Sequence, residues 1–306
     1  MDVVAPLQNW IMQKIPDLKI REWKMVESGW DNLIIVINHE WIVRFPRTKR
    51  IQKNLLSEKQ LLDQIKKPLQ KRSIEVPSYQ LIYDASDHFP TCCYYPLIQG
   101  SPLHPDLYKN ILTTSSNRKQ IARTLGDFLA VIHSFNNQNL QGFSLEKPHT
   151  KAYWQAHWRE IQTKIYPLLP YGEQQKVTHL FKNFLVNWDI DALPAVLIHG
   201  DLSYHHILFS KEKQKITGII DFGDSQIGDP AYDFSGIYWD YGEAFFNDAF
   251  QRYCQHSFSY STNDLYHRVV SFYGKRPIFH EILYALENQS TNKWKQKLHE
   301  LRKSLL

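Results

Sequence analysis

At 306 residues the chain exceeds the size at which one hydrophobic core usually divides, so two lobes are expected. Hydrophobic residues make up 43% and charged residues 22%, a globular balance that excludes a disordered chain. The formal charge of +5 is spread along the sequence with no long Lys/Arg block, which argues against nucleic acid as a partner.

Three cysteines cannot build a disulfide framework, and Cys92 and Cys93 are adjacent, so they read as two small residues in a strand. Asp2 and Pro16 interrupt the amino terminus, which offers no apolar core for a signal peptide, and a cytoplasmic protein is expected. No run of about 18 apolar residues is present to span a membrane.

In chain order, the first hundred residues read as strands around one helix. A strand is expected near 21–26. The runs 33–37 and 41–45 are β-branched and aromatic and are joined by Asn38-His39-Glu40, a hairpin signal, with Pro46 as the stop. Leu55, Leu56, Leu62 and Ile65 predict a helix over 52–66. Strands follow at 79–83 and 92–98. The breaker cluster Gln99-Gly100-Ser101-Pro102 then divides the chain into 1–98 and 99–306.

Beyond that boundary the pattern turns helical. Ile121, Leu125, Phe128, Leu129, Ile132 and Phe135 recur at steps of three and four after Ser115-Ser116-Asn117. Residues 150–190 are again helical. Short apolar runs at 195–198 and 216–220 bracket a polar loop, and helices dominate from Tyr232 onward. The result is an α+β chain with a small β-rich lobe and a larger helical one.

The polar loop carries the chemistry. It reads His199-Gly200-Asp201-Leu202-Ser203-Tyr204-His205-His206, followed by Ile219-Ile220-Asp221-Phe222-Gly223-Asp224. Each Asp follows an apolar strand, an arrangement suited to one carboxylate that handles a proton and another that holds a metal. In kinase-type phosphoryl transfer a catalytic-loop Asp accepts the nucleophile's proton. A side chain five positions later and the Asp of a D-F-G hold magnesium, which here are His206 and Asp221. Tandem His205-His206 would make a poor zinc pair, since adjacent side chains point apart and no third ligand has zinc spacing. His199 reads as a loop anchor, Asp233 as a brace, and Asp229-Pro230 as an N-cap with Pro at N1.

These motifs resemble those of the aminoglycoside phosphotransferase family, which includes macrolide phosphotransferases and choline and homoserine kinases. His199-Gly200-Asp201, Ile219–Asp224 and Asp229-Pro230-Ala231-Tyr232-Asp233-Phe234 are most similar to the aminoglycoside 2″-phosphotransferase and macrolide branches, which also place His at the position of His206. The resemblance implies a bilobal protein-kinase-like fold, with a nucleotide-binding N-lobe over 1–98. The helical C-lobe, 99–306, would carry the catalytic loop, metal site and acceptor pocket. It also implies a monomeric small-molecule kinase that uses ATP or GTP and Mg2+, with no membrane or nucleic-acid partner. Asp201 would be catalytic, and His206 and Asp221 metal ligands.

For the nucleotide, the resemblance points to Ser28, Gly29, Asp31 and Asn32 as an abbreviated phosphate loop. Arg44 would stand where the family has Lys, paired with Glu58, and Tyr95 and Leu97 would adjoin the base. Arg44-Phe45-Pro46-Arg47 matches an R-x-P-R element of the macrolide branch. Trp239, Asp240, Glu243 and Glu281 are expected at the acceptor. Their carboxylates suit an aminoglycoside polycation and their aromatic ring a macrolide. A metabolic hydroxyl compound, or a catalytically inactive nucleotide-binding relative that regulates a partner, remain the alternatives.

Overall fold

A computed structural model describes residues 4–26, 31–84, 88–111, 115–288 and 291–305. Two units emerge: Met1–Gly100 together with Thr217–Gly223, and Ser101–Ile216 together with Asp224–Leu306.

The first unit opens with α1 (Val4–Lys14), followed by β1 (Trp23–Val26), β2 (Asn32–Ile37), β3 (Trp41–Pro46), α2 (Lys49–Gln70), β4 (Gln80–Ile82) and β5 (Cys92–Pro96). The strands form an antiparallel sheet in the order β1-β2-β3-β5-β4. The expected hairpin forms because Asn38 and His39 adopt left-handed backbone angles, φ 53° and 55°. Asn tolerates that region, and the Asn38 side chain fastens the turn. Its Oδ1 accepts from the amides of Arg21 and Glu22 at 2.9 and 3.0 Å, and its Nδ2 donates to the Lys19 carbonyl at 2.7 Å.

Alternation along the strands separates two faces. Ile35, Ile37, Val43 and Cys92 form one buried cluster with Ile11, Ile15 and Leu18. Arg44 and Cys93 are paired across β3 and β5 and belong to the opposite face. The reading of strands around one helix omits α1, which supplies Ile11. Its pattern is too short to signal a helix, and the helix is held by this tertiary packing. α2 extends beyond the expected 52–66. Thr48 caps it by accepting the Ile51 amide at 3.3 Å.

Thr217–Gly223 groups with the first unit. There Glu75 donates its amide to the Thr217 carbonyl at 3.0 Å and accepts from the Ile219 amide at 2.9 Å. A contact between residues so distant in sequence leaves no local pattern to read.

The second unit contains β6 (Ser101–Pro102), α3 (Pro105–Ile111), α4 (Ser115–Ile132), α5 (Lys151–Lys164), α6 (Tyr171–Asn187), β7 (Val196–Ile198) and β8 (Ile207–Ser210). β9 (Lys215–Ile219) leads the chain into Thr217–Gly223. Then come β10 (Gln226–Gly228), α7 (Phe234–Tyr241), α8 (Glu243–Tyr253), α9 (Thr262–Ser271), α10 (Pro277–Glu287) and α11 (Thr291–Leu305). β10 pairs antiparallel with β7, and β6 with β8. Gly126 lets α4 approach α8, since a Cβ there would lie 2.4 Å from the Ala249 carbonyl oxygen. No helix among the described residues is long and apolar enough to cross a membrane.

The helical core is aromatic. Trp154 is fully buried, with its ring centroid 5.7 Å from Phe184 and 5.4 Å from Phe272, and Phe184 stacks on Phe272 at 3.8 Å. Phe272→Ala should therefore destabilise the chain by about 3–5 kcal/mol, through lost transfer energy and an unfilled cavity. Denaturant unfolding measures this, and a loss below about 1 kcal/mol would mean that the stack relaxes around the gap.

Candidate active site

The expected catalytic loop begins where β7 ends. His199 is fully buried and its amide donates to Asp233 Oδ2 at 2.7 Å, while the Gly200 amide donates to Oδ1 of the same carboxylate at 3.0 Å. Asp233 is itself 2% exposed and lies 3.3 Å from His133 Nε2. A buried carboxylate satisfied in this way holds two successive peptides in one orientation. Asp233 is the expected brace, and His199 the expected anchor: its Nδ1 accepts the Asp201 amide at 3.3 Å. Gly200 sits at φ 85°, and a Cβ there would lie 2.1 Å from the Asp224 carbonyl oxygen. The middle position of the motif therefore admits only glycine.

The result is an Asp201 side chain that is 54% exposed at the end of a rigid loop. His206 is tied back to it, with Nδ1 2.7 Å from the Asp201 carbonyl. Because a carbonyl only accepts, Nδ1 carries the proton, and in the neutral imidazole Nε2 keeps the lone pair that a metal requires.

Asp240, expected at the acceptor, also has a local task. Its Oδ2 accepts the Tyr204 amide at 2.8 Å, bracing the turn Tyr204–His206. Burial pushes its carboxyl up to about 6; the Tyr204 hydrogen bond opposes this, and the charges of Glu281 and Asp201 add to it. Trp239 is half-buried on α7, and Glu243 is exposed at the first residue of α8. Glu281 shares a cation with Glu300: Lys297 Nζ lies 2.7 Å from Glu281 Oε2 and 2.8 Å from Glu300 Oε2.

In the first unit, Arg44 is 4% exposed in β3, so it is not a solvent-facing strand-end residue. Its Nη1 donates to Glu58 Oε1 at 2.8 Å and to the Tyr79 hydroxyl, and its Nη2 lies 3.8 Å from Asp221 Oδ1. Burial works against the charge of Arg44, but Tyr79, Glu58 and Asp221 outweigh it and hold the guanidinium's pKa well above its ordinary value. Burial likewise raises the Glu58 carboxyl above the usual range, opposed by Arg44 and Tyr79. Asp221 adopts φ 67°, and its side chain is half exposed. Tyr79 was missed by the sequence reading, which saw only a strand-forming aromatic there.

Other expected nucleotide contacts fare unevenly. Ser28 and Gly29 lie outside the described residues. Asp31 is exposed, and its carbonyl accepts the Arg47 amide at 2.9 Å. Asn32 is 6% exposed, and its buried Oδ1 has no hydrogen-bond partner among the described residues. Tyr95 is buried, with its ring 5.0 Å from that of Tyr79. The Leu97 amide is not an open donor for a base, since it already donates to the Glu40 carbonyl at 2.7 Å.

Taken singly, each expected ligand has donor chemistry that suits magnesium. Asp221 supplies a hard, half-exposed carboxylate, and His206 an oriented imidazole. Among the described residues no group of three or more His, Cys, Asp or Glu converges into a metal cage. Magnesium is typically held by one or two protein groups plus substrate phosphates, which asks for no such cage.

Residues 22–269 match the model of the phosphotransferase enzyme family, and the chain belongs to that family. It is 26% identical to viomycin phosphotransferase of Streptomyces vinaceus over 151 residues, 48% of this chain and 49% of that protein, so the match spans about half the length of that curated relative. It is 24% identical over 223 residues to the uncharacterized protein YcbJ of Bacillus subtilis (strain 168), covering 68% of this chain and 67% of that one. The fold is similar to that in the GDP and kanamycin complex of APH(2")-IIia, with a TM-score of 0.83, 24% identity and 98% of both chains covered. It is also similar to macrolide 2'-phosphotransferase MphH from Brachybacterium faecium, with a TM-score of 0.68, 18% identity and 97% of both chains covered. The kinase-like fold expected from the motifs is thereby shown.

Gly200→Ala should cost about 1–3 kcal/mol from backbone strain alone, and more from the contact with Asp224. Chemical denaturation alongside a transfer assay checks this, and a variant of unchanged stability would show that the loop has room to shift.

Asp240 gives a pH dependence. Its folded-state pKa lies above that of an unfolded aspartate, so the folded state binds the proton more tightly. The group's contribution is therefore fully present at low pH and is lost as pH rises through about 6. Asp240→Asn lacks this titration. The stability of wild type relative to the variant should grow as pH falls from 7 to 5, and a flat difference would contradict the assignment.

Proposed function

We propose that the protein is a small-molecule kinase that transfers the γ-phosphate of ATP or GTP to a hydroxyl group. The observation that carries this reading is the catalytic loop. Asp233 fixes the amides of His199 and Gly200, and Asp201 is presented half exposed beyond them.

Asp201 would accept the hydroxyl proton as the acceptor oxygen bonds to the γ-phosphorus, while the bond to the β,γ-bridging oxygen breaks and nucleoside diphosphate leaves. Asp221 and His206 would hold magnesium, which when bound neutralises phosphate charge. Arg44 would add fixed positive charge toward the phosphates, with Glu58 keeping it in place. Asp31 and Asn32 would flank the phosphate loop, and Tyr95 would adjoin the base. Retention of Asp201, His206 and Asp221 disfavours a catalytically inactive relative.

For the acceptor, the reading is an aminoglycoside-like polycation bound by Asp240 and Glu243 beside Trp239. Glu281 would add to this anionic attraction, with Lys297 shared between it and Glu300. The macrolide phosphotransferase among the similar folds keeps a bulky apolar acceptor as the second reading, for which Trp239 would be the main contact.

The test is a transfer assay with ATP and GTP against aminoglycosides, macrolides and small amino alcohols. Asp201→Asn should lose about 10²–10⁴-fold in kcat while keeping nucleotide affinity near wild type. A variant with more than about a tenth of wild-type kcat would remove Asp201 from the role of base.

A further inference from the structure

The Arg44–Glu58 pair has a third member that the sequence motif does not contain. Tyr79, the residue before β4, is 3% exposed. Its hydroxyl donates to Glu58 Oε1 at 2.7 Å and accepts from Arg44 Nη1, which also donates to that oxygen at 2.8 Å. A guanidinium only donates and an ionised carboxylate only accepts, so the phenol must accept from one and donate to the other. The ring of three hydrogen bonds has no alternative arrangement.

A guanidinium is planar. Two partners on Nη1 fix that plane, and with it the direction of Nη2. Nη2 lies 3.8 Å from Asp221 Oδ1. A lysine at this position could pair with Glu58, but a point charge has no second arm to aim.

We propose that Tyr79 is a positioning residue: by locking the Arg44 plane against Glu58 it directs the second guanidinium nitrogen at the Asp221 carboxylate. The role rests on the phosphotransferase reading, in which Asp221 acts through magnesium. It also explains how arginine serves where the resembling family has lysine.

Tyr79→Phe removes one hydroxyl and keeps the ring against Tyr95. In the full-length chain, calorimetry would measure ADP and GDP affinity with magnesium and in EDTA, and thermal unfolding would be followed in the same samples. The variant should bind the magnesium nucleotide about tenfold more weakly, the usual worth of one hydrogen bond to a charged group, and should lose less in EDTA. In an Arg44→Lys background the same substitution should change affinity by less than about twofold, because an ammonium has no plane to lock.

Wild type that binds neither nucleotide would bring down the phosphotransferase reading and this role with it. Wild type that binds, beside a Tyr79→Phe chain that binds equally well, would overturn the positioning role alone. A variant that fails to fold, or loses stability without a magnesium-dependent loss of affinity, would make the hydroxyl structural and overturn it too. Equal losses in the wild-type and Arg44→Lys backgrounds would do the same.

Discussion

The second unit depends on a carboxylate that water does not reach. Asp233 is buried, and such a charge is tolerated only when its lone pairs are taken. The amides of His199 and Gly200 take them, so the cost of burying the charge is offset only while the loop keeps this one conformation. Asp229, four residues earlier, repeats the principle. Arg268 grips it with two nitrogens, at 2.7 and 2.8 Å, and its Oδ1 accepts the Ala231 amide at 3.1 Å. Asp233 thus holds the loop that presents Asp201, while Asp229 ties the same short segment to α9.

The first unit uses a buried charge differently. Arg44, Glu58 and Tyr79 satisfy one another beside the sheet, and removing one partner of such a pair typically costs about 3–5 kcal/mol. Surface pairs such as Lys59–Asp63 contribute far less, about 0.3–0.5 kcal/mol for this helical spacing. The buried group is therefore the one whose geometry is enforced.

Around the expected acceptor residues, charge is partly cancelled. Lys297 lies 2.7 Å from Glu281 and 2.8 Å from Glu300, so its one charge is shared between two carboxylates. Burial raises Asp240 toward neutrality. Formal sequence charge overstates the attraction available to a cation, because pairing and desolvation both act only in the folded chain.

The sequence by itself determined the local elements and named the candidate residues for the chemistry. The hairpin followed from β-branched runs around Asn38-His39-Glu40, and the helix of Phe128 and Leu129 from its spacing. Asp201, His206 and Asp221 followed from motif order, because local backbone preference and short-range spacing are written in neighbouring residues. Only the tertiary structure decided what depends on distant segments. It returned Thr217–Gly223 to the first unit through Glu75, buried α1 against the sheet, spent the Leu97 amide on Glu40, paired Glu281 with Lys297 and brought Tyr79 to Arg44. Each of these is a contact between residues far apart in the chain, formed because buried polar groups must find partners and apolar faces must be covered, wherever in the sequence those partners lie.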